Sequence, residues 1–157
     1  MTQPVRFVAL PTETVRAYRS GANDANGMAP ERAVSDGKGN PCRHCLQDIP
    51  EGKGMLILAH RPFPAPQPYA EIGPIFLCAD DCARWQGDGL PPALACRPNH
   101  LIKGYGENDR IAYGTGRIVA VQDLPSGGAG IFDDARVRYG RVRSDRNNCY
   151  TCRIDPG

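Results

Sequence analysis

Two short stretches, Cys42-Arg-His-Cys45 and Cys78-Ala-Asp-Asp-Cys82, decide how the rest of the chain is read. Each is a hook, C-x2-C and then C-x3-C, in which a tight turn can aim two thiolates at one centre. Tetrahedral Zn2+ accepts four such sulfurs, so the pattern predicts a structural metal site at Cys42, Cys45, Cys78 and Cys82. Four sulfurs close the coordination sphere and leave no position for a reacting water. Two alternatives stay open: free thiols packed as small apolar residues, and a redox pair or disulfide.

Between the hooks lie two apolar runs, Met55-Leu-Ile-Leu-Ala-His60 and residues 72–77. Both are short and bounded by Gly or Pro, which predicts strands covered on both faces. Paired as an antiparallel hairpin they bring the hooks to one edge, because Cys45 precedes the first strand and Cys78 ends the second. Residues 47–52 read as a turn, and the Pro-rich 61–68 as an extended loop that is neither helix nor central strand.

Upstream, residues 5–10 predict a strand ended by Pro11, and 12–19 a helix with Thr12 as N-cap and Gly21 as stop. Val15 and Tyr18 fall on its buried face. Residues 20–30 carry no apolar period and read as loop, with a brief strand at 32–35. Downstream, 85–98 reads as irregular, 101–103, 111–113 and 117–121 as short strands, and 123–135 as a short helix weakened by Gly127, Gly128 and Gly130. Residues 137–143 predict a strand. A bulge at Gly140 would put Val137, Tyr139 and Val142 inside and Arg136, Arg138, Arg141 and Arg143 outside. Cys149 and Cys152 lead into or lie on a last strand and compete for the same metal.

Composition sets the limits. A chain of 157 residues is long enough for one domain with a core, so 1–157 is read as a single domain. The 18 Gly and 15 Pro favour many turns over long helices. A net charge of +2 gives no bulk attraction to nucleic acid or an anionic membrane surface. Seven cysteines cannot all pair, which argues against a disulfide framework. The apolar run before Pro11 is too short for a signal peptide and no later run approaches a membrane span, so a reducing cytoplasm is the expected compartment.

Pro41-Cys-Arg43, Pro68-Tyr69, Gly73-Pro-Ile-Phe76 and Asn148-Cys-Tyr-Thr-Cys-Arg153 together resemble the DUF1203 family of small bacterial proteins. The resemblance spans most of the chain and implies no activity, substrate or site, because the family is uncharacterised. The chain departs from the family pattern at residues 124–132, where Ser-Gly-Gly-Ala-Gly stands in a segment that is helical and aliphatic in other members.

Other constellations carry less. Cys42 beside Arg43, with His60 at a strand end, would make a nucleophile and base, against the plainer reading of His60 as a satisfied strand-end histidine. His44 and His100 read as exposed. A Walker loop, a serine elbow and H-E-x-x-H are all lacking from the sequence. The arginine row Arg136, Arg138, Arg141, Arg143, with Arg146 and Arg153, would bind a phosphate or carboxylate if it formed one face; thin aromatic interleaving disfavours nucleic acid. The expectation is therefore an α+β domain: a mostly antiparallel sheet, one or two short helices, and a Cys-rich zinc knot at one edge. Its expected role is a binding or structural module whose partner the sequence does not name. A cysteine-dependent enzyme or thiol-redox protein, and an anion or nucleic-acid binder using the arginine face, are the alternatives.

Overall fold

The computed structural model describes residues 4–157; residues 1–3, where the amino-terminal stretch read for a leader begins, lie outside the described residues. The elements run β1 (Val5–Val8), α1 (Thr12–Arg19), β2 (Glu31–Val34), β3 (Gly54–His60), β4 (Gly73–Cys78), α2 (Pro92–Ala95), β5 (Asn99–Tyr105), β6 (Arg117–Ala120), α3 (Leu124–Gly130), β7 (Tyr139–Ser144) and β8 (Tyr150–Pro156). The strands form two sheets, a five-stranded one ordered β1-β8-β7-β5-β6 and a three-stranded one ordered β2-β3-β4. Every strand pairing in them is antiparallel. The α+β class and the short helices are as the sequence predicts, with the strands divided between two layers.

The hairpin of β3 and β4 has the register that places the hooks together, with Met55 opposite Cys78 and His60 opposite Gly73. Alternation along the strands then sorts the core. On the five-stranded sheet Phe7, Ile102, Val142, Cys152 and Ile154 join Leu124 and Ile131 in one cluster under α3. Tyr150 belongs instead to a second cluster, with Val15 of α1 and Leu56, Leu58, Ile75 and Leu77 of the three-stranded sheet. Phe63, Tyr105 and Tyr139 form a third. Their chemistry is aromatic: Tyr105 and Tyr139 are cross-strand partners and stack at 5.4 Å between ring centroids.

α3 forms despite its glycines. Gly127 and Gly128 cost helix propensity, but a Cβ at Gly127 would come within 3.2 Å of Val119, so their absence of side chain lets the helix lie close on the sheet. 3-10 turns at Val121–Asp123 and Ile131–Asp133 bracket it, which is why the helix is short.

Several local expectations are corrected. Thr12 is the first helical residue and Pro11 holds the N-cap position; the Thr12 hydroxyl is used elsewhere, on His44. Residues 85–98 contain α2, begun by Pro92 within its first turn, where the missing N–H costs nothing. Residues 111–113 form no strand; Ile111 makes a single bridge to Tyr105.

The largest correction concerns β7. No bulge occurs at Gly140, which pairs directly with Gly104 and Ile154. The irregularity lies one strand over, where Val142 faces Cys152 and Arg143 faces Tyr150, leaving Thr151 as the extra residue. Strict alternation therefore runs through β7, and Tyr139, Arg141 and Arg143 share a face. That face is covered by the aromatic cluster and the loops beside the smaller sheet, so Arg141 and Arg143 are each only 4% exposed. Arg136 and Arg138 are exposed, and the four arginines do not share one solvent face. Gly140 points the other way: a Cβ there would overlap Ile131 and meet the Lys103 carbonyl at 3.2 Å.

Candidate metal centre

The first hook is built by backbone contacts that any knuckle-like turn requires. Cys42 N–H donates to the Gln47 carbonyl at 2.9 Å and Leu46 N–H to the Cys42 carbonyl at 2.9 Å. Leu46 completes the turn at φ 53°, in the left-handed region that usually calls for glycine. Its side chain is fully buried, and that burial offsets the strain of the position. The hook is fixed to β4 by a parallel bridge from Cys42 to Phe76, with Arg43 N–H donating to the Phe76 carbonyl at 3.1 Å. Arg43 ties it to the other sheet, since its Nε donates to the Tyr150 carbonyl at 2.8 Å.

The second hook leaves the end of β4, and the four sulfurs meet. The Sγ atoms of Cys42, Cys45, Cys78 and Cys82 all lie within 4.8 Å of one another, a group that could hold a metal ion. Cys42 and Cys82 are 3.9 Å apart and Cys45 and Cys78 4.0 Å. Four Zn–S bonds of ~2.3 Å in a tetrahedron set sulfurs about 3.8 Å apart, so the pocket is already close to that geometry. All seven cysteines are free thiols.

Crowding four thiols forces them to divide their protons. Hydrogen bonds from Cys45 and Cys78 bring the Cys42 thiol down to about 6. Contacts from Cys42, Cys45 and Cys78, with a smaller share from His44, hold Cys82 well below the usual thiol range. Cys45 and Cys78 are pushed up in turn, above all by their hydrogen bonds to Cys42.

Groups around the sulfurs are arranged for that negative charge. Arg19, the last residue of α1, donates from Nη2 to Cys82 Sγ at 3.2 Å and from Nε to the Cys78 carbonyl at 3.0 Å. Backbone N–H of Cys78 points at Cys42 Sγ at 3.3 Å. His44, read from sequence as exposed, is 1% exposed. Its Nδ1 lies 3.1 Å from Cys82 Sγ and its Nε2 2.9 Å from the Thr12 hydroxyl. The tautomer that suits a thiolate carries its proton on Nδ1 and accepts from Thr12 at Nε2. Thus α1 spans the knot, with its first residue on one hook and its last on the other. Neither Thr12 nor Arg19 carries a sequence signal for this, since only the fold brings α1 alongside.

The remaining candidate residues lie apart. Cys149 is half-buried at the β7–β8 turn, with its thiol 3.8 Å from the Asn147 carbonyl, and Cys152 is buried in the cluster under α3. Cys42 and His60 are not brought together as nucleophile and base: Cys42 Sγ is engaged with Cys82, and His60 Nδ1 pairs with the Tyr18 hydroxyl at 3.0 Å. His60 is the satisfied strand-end histidine of the plainer reading. His100, also expected at the surface, is buried with Nε2 2.9 Å from the Leu94 carbonyl. Among the described residues no helix is long and apolar enough to cross a membrane.

Comparison with known proteins gives one positive result. No curated protein and no solved structure matched the chain significantly. The family described as protein of unknown function (DUF1203) matches residues 39–155, a span that begins just before the first hook and includes every candidate ligand. The resemblance read from the four sequence motifs is thus the family itself, and the chain belongs to DUF1203.

Proposed function

We propose that the chain is a small binding module held together by one structural Zn2+ on Cys42, Cys45, Cys78 and Cys82. The observation that carries this reading is the sulfur spacing, 3.9 and 4.0 Å in the two closest pairs, against about 3.8 Å for a tetrahedral tetrathiolate. Four thiolates on a divalent ion carry a net charge of −2, and Arg19, His44 and the Cys78 amide supply the hydrogen bonds that such a charge needs. With all four positions filled by sulfur, the ion is a staple and has no site for substrate. It joins the segment before β3 to the end of β4, and through Arg43 to β8. Seven uncombined thiols suit a reducing compartment, and the cytoplasm is the one we assign.

Elemental analysis of the purified protein, with a thiol count before and after chelation, tests the reading. One zinc per chain is expected, with four thiols becoming reactive only once the metal is removed. Reloading should release protons into weakly buffered solution near neutral pH. Protein that carries no metal, takes up none, and presents its knot thiols to a thiol reagent from the start would overturn it.

A further inference from the structure

The two sheets leave a second polar region at their seam, away from the sulfurs. A cleft of about 210 Å3 opens there, with His60, Glu71, Arg143, Asn148, Cys149 and Tyr150 among its walls. Its electrostatics are unbalanced. Arg143 donates from Nη1 to the Asn148 carbonyl at 2.9 Å and pairs through Nη2 with Glu71 at 2.9 Å, while Lys103 reaches the same carboxylate at 3.9 Å. Arg141 has no carboxylate at all among the described residues. Its guanidinium lies 3.8 Å from the Phe63 ring centroid and 5.6 Å from that of Tyr150, and it donates to the Pro62 carbonyl, another cleft wall. Two cations thus share one carboxylate, and a third has none.

Donors remain unused. Arg143 Nε, Arg141 Nε and Nη1, and the Tyr105 hydroxyl are all buried without a hydrogen-bond partner. Buried polar groups in folded proteins are almost always satisfied, and a buried cation is normally paired. Arg143 lines the cleft, and Arg141 lies behind the Pro62 wall with no carboxylate partner, so the region lacks a group of opposite charge. His60 also lines the cleft, with its Nδ1 already paired to the Tyr18 hydroxyl.

We propose that this cleft binds one small oxyanion, a carboxylate or a phosphate group. Arg143 makes the direct contact, and Arg141 supplies the uncompensated charge behind it. The volume favours a compact ligand, since sites for drug-sized molecules run from ~300 to ~1,000 Å3. The proposal supplies the ligand class that the binding-module reading leaves open. It does not depend on zinc, because no knot cysteine lines the cleft.

The test titrates the intact, metal-replete chain with inorganic phosphate and, separately, with acetate, by calorimetry at constant ionic strength. Saturable binding of one anion per chain is expected, weakened at least about tenfold by R143Q and unchanged by R138Q, whose exposed guanidinium lies outside the cleft. Binding of phosphate alone identifies a phosphate site, and binding of acetate identifies a carboxylate site. The bound anion should also slow alkylation of Cys149, which marks its location. Absence of saturable binding by either probe, or binding that R143Q leaves intact, overturns the proposal. If R143Q does not fold, the native chain decides: saturable binding that fails to protect Cys149 places the anion elsewhere and overturns it equally. Loss of zinc with anion binding retained would instead count against the metal reading alone.

Discussion

The cysteine knot and the arginine cleft both bury polar groups beside the three-stranded sheet, yet they are built in opposite ways. At the knot, four sulfurs converge from two hooks, and Arg19, His44 and a backbone amide already point at the charge they will carry. At the cleft, Arg143 shares one carboxylate with Lys103 while Arg141 sits behind it among aromatic rings, and both arginines keep unpaired nitrogens. A site whose own residues complete its coordination is suited to holding structure. A site whose donors are left unanswered is suited to receiving something from outside.

The sharpest way to separate the two regions is to remove one and ask whether the other survives. Cys78→Ser should abolish metal binding and cooperative unfolding of the hairpin, because a structural zinc contributes about 10–16 kcal/mol in small zinc peptides, as much as a whole domain's stability. Cys149→Ser, at the cleft, should leave zinc content intact and stability within about 0.5 kcal/mol. Circular dichroism melts with metal analysis read both; equal damage from the two variants would erase the distinction.

His60 tests the cleft from the side of pH. Burial, with Arg141, Arg43 and Arg61 adding repulsion, holds the ring down at about 4, and the Tyr18 and Tyr150 phenols are its other neighbours. A histidine held below its unfolded value stabilises the fold fully above about pH 6.5, and that contribution is lost as pH falls from there through 4. The loss amounts to about 3 kcal/mol, and His60→Gln should flatten it in denaturant titrations across that window. An unchanged slope in the variant would mean that the ring titrates freely.

Gly140→Ala probes the register that turns Arg141 and Arg143 inward. With the observed pairing the added methyl overlaps Ile131 and should cost about 1–3 kcal/mol by chemical denaturation. A neutral result would restore a bulge at Gly140 and an outward-facing arginine row. The smallest effect is expected at Thr12→Val, which removes the hydroxyl from His44 Nε2 and should cost about 1 kcal/mol. It should also speed zinc loss to a chelator, whereas an unchanged release rate would make the Thr12–His44–Cys82 chain mere packing.

How far the sequence reveals each region follows from the same contrast. The hooks are local: C-x2-C and C-x3-C state their own geometry, and the hairpin between them needs only two apolar runs to bring them together. The family is legible for a similar reason, through short contiguous motifs. The cleft is not local. It draws on the end of β3, Glu71 in the loop before β4, β7 and the turn into β8, and its meaning depends on which face of β7 looks inward. The assumption that arginines belong outside called for a bulge at Gly140, when plain alternation through Tyr139, Arg141 and Arg143 was correct. Four aromatic rings within 6 Å of the Arg141 guanidinium make its burial tolerable, and two of them, Phe63 and Tyr105, lie far from it in the chain. His44 and His100 are hidden for the same reason: the partners that satisfy them, Thr12 with Cys82 and the Leu94 carbonyl, are set by the fold.

The central claim is the tetrathiolate staple, and X-ray absorption at the zinc edge of the protein as purified tests it most directly. A single shell of four sulfurs at about 2.3 Å is expected. A shell containing nitrogen or oxygen would contradict it, as would the absence of zinc from folded protein.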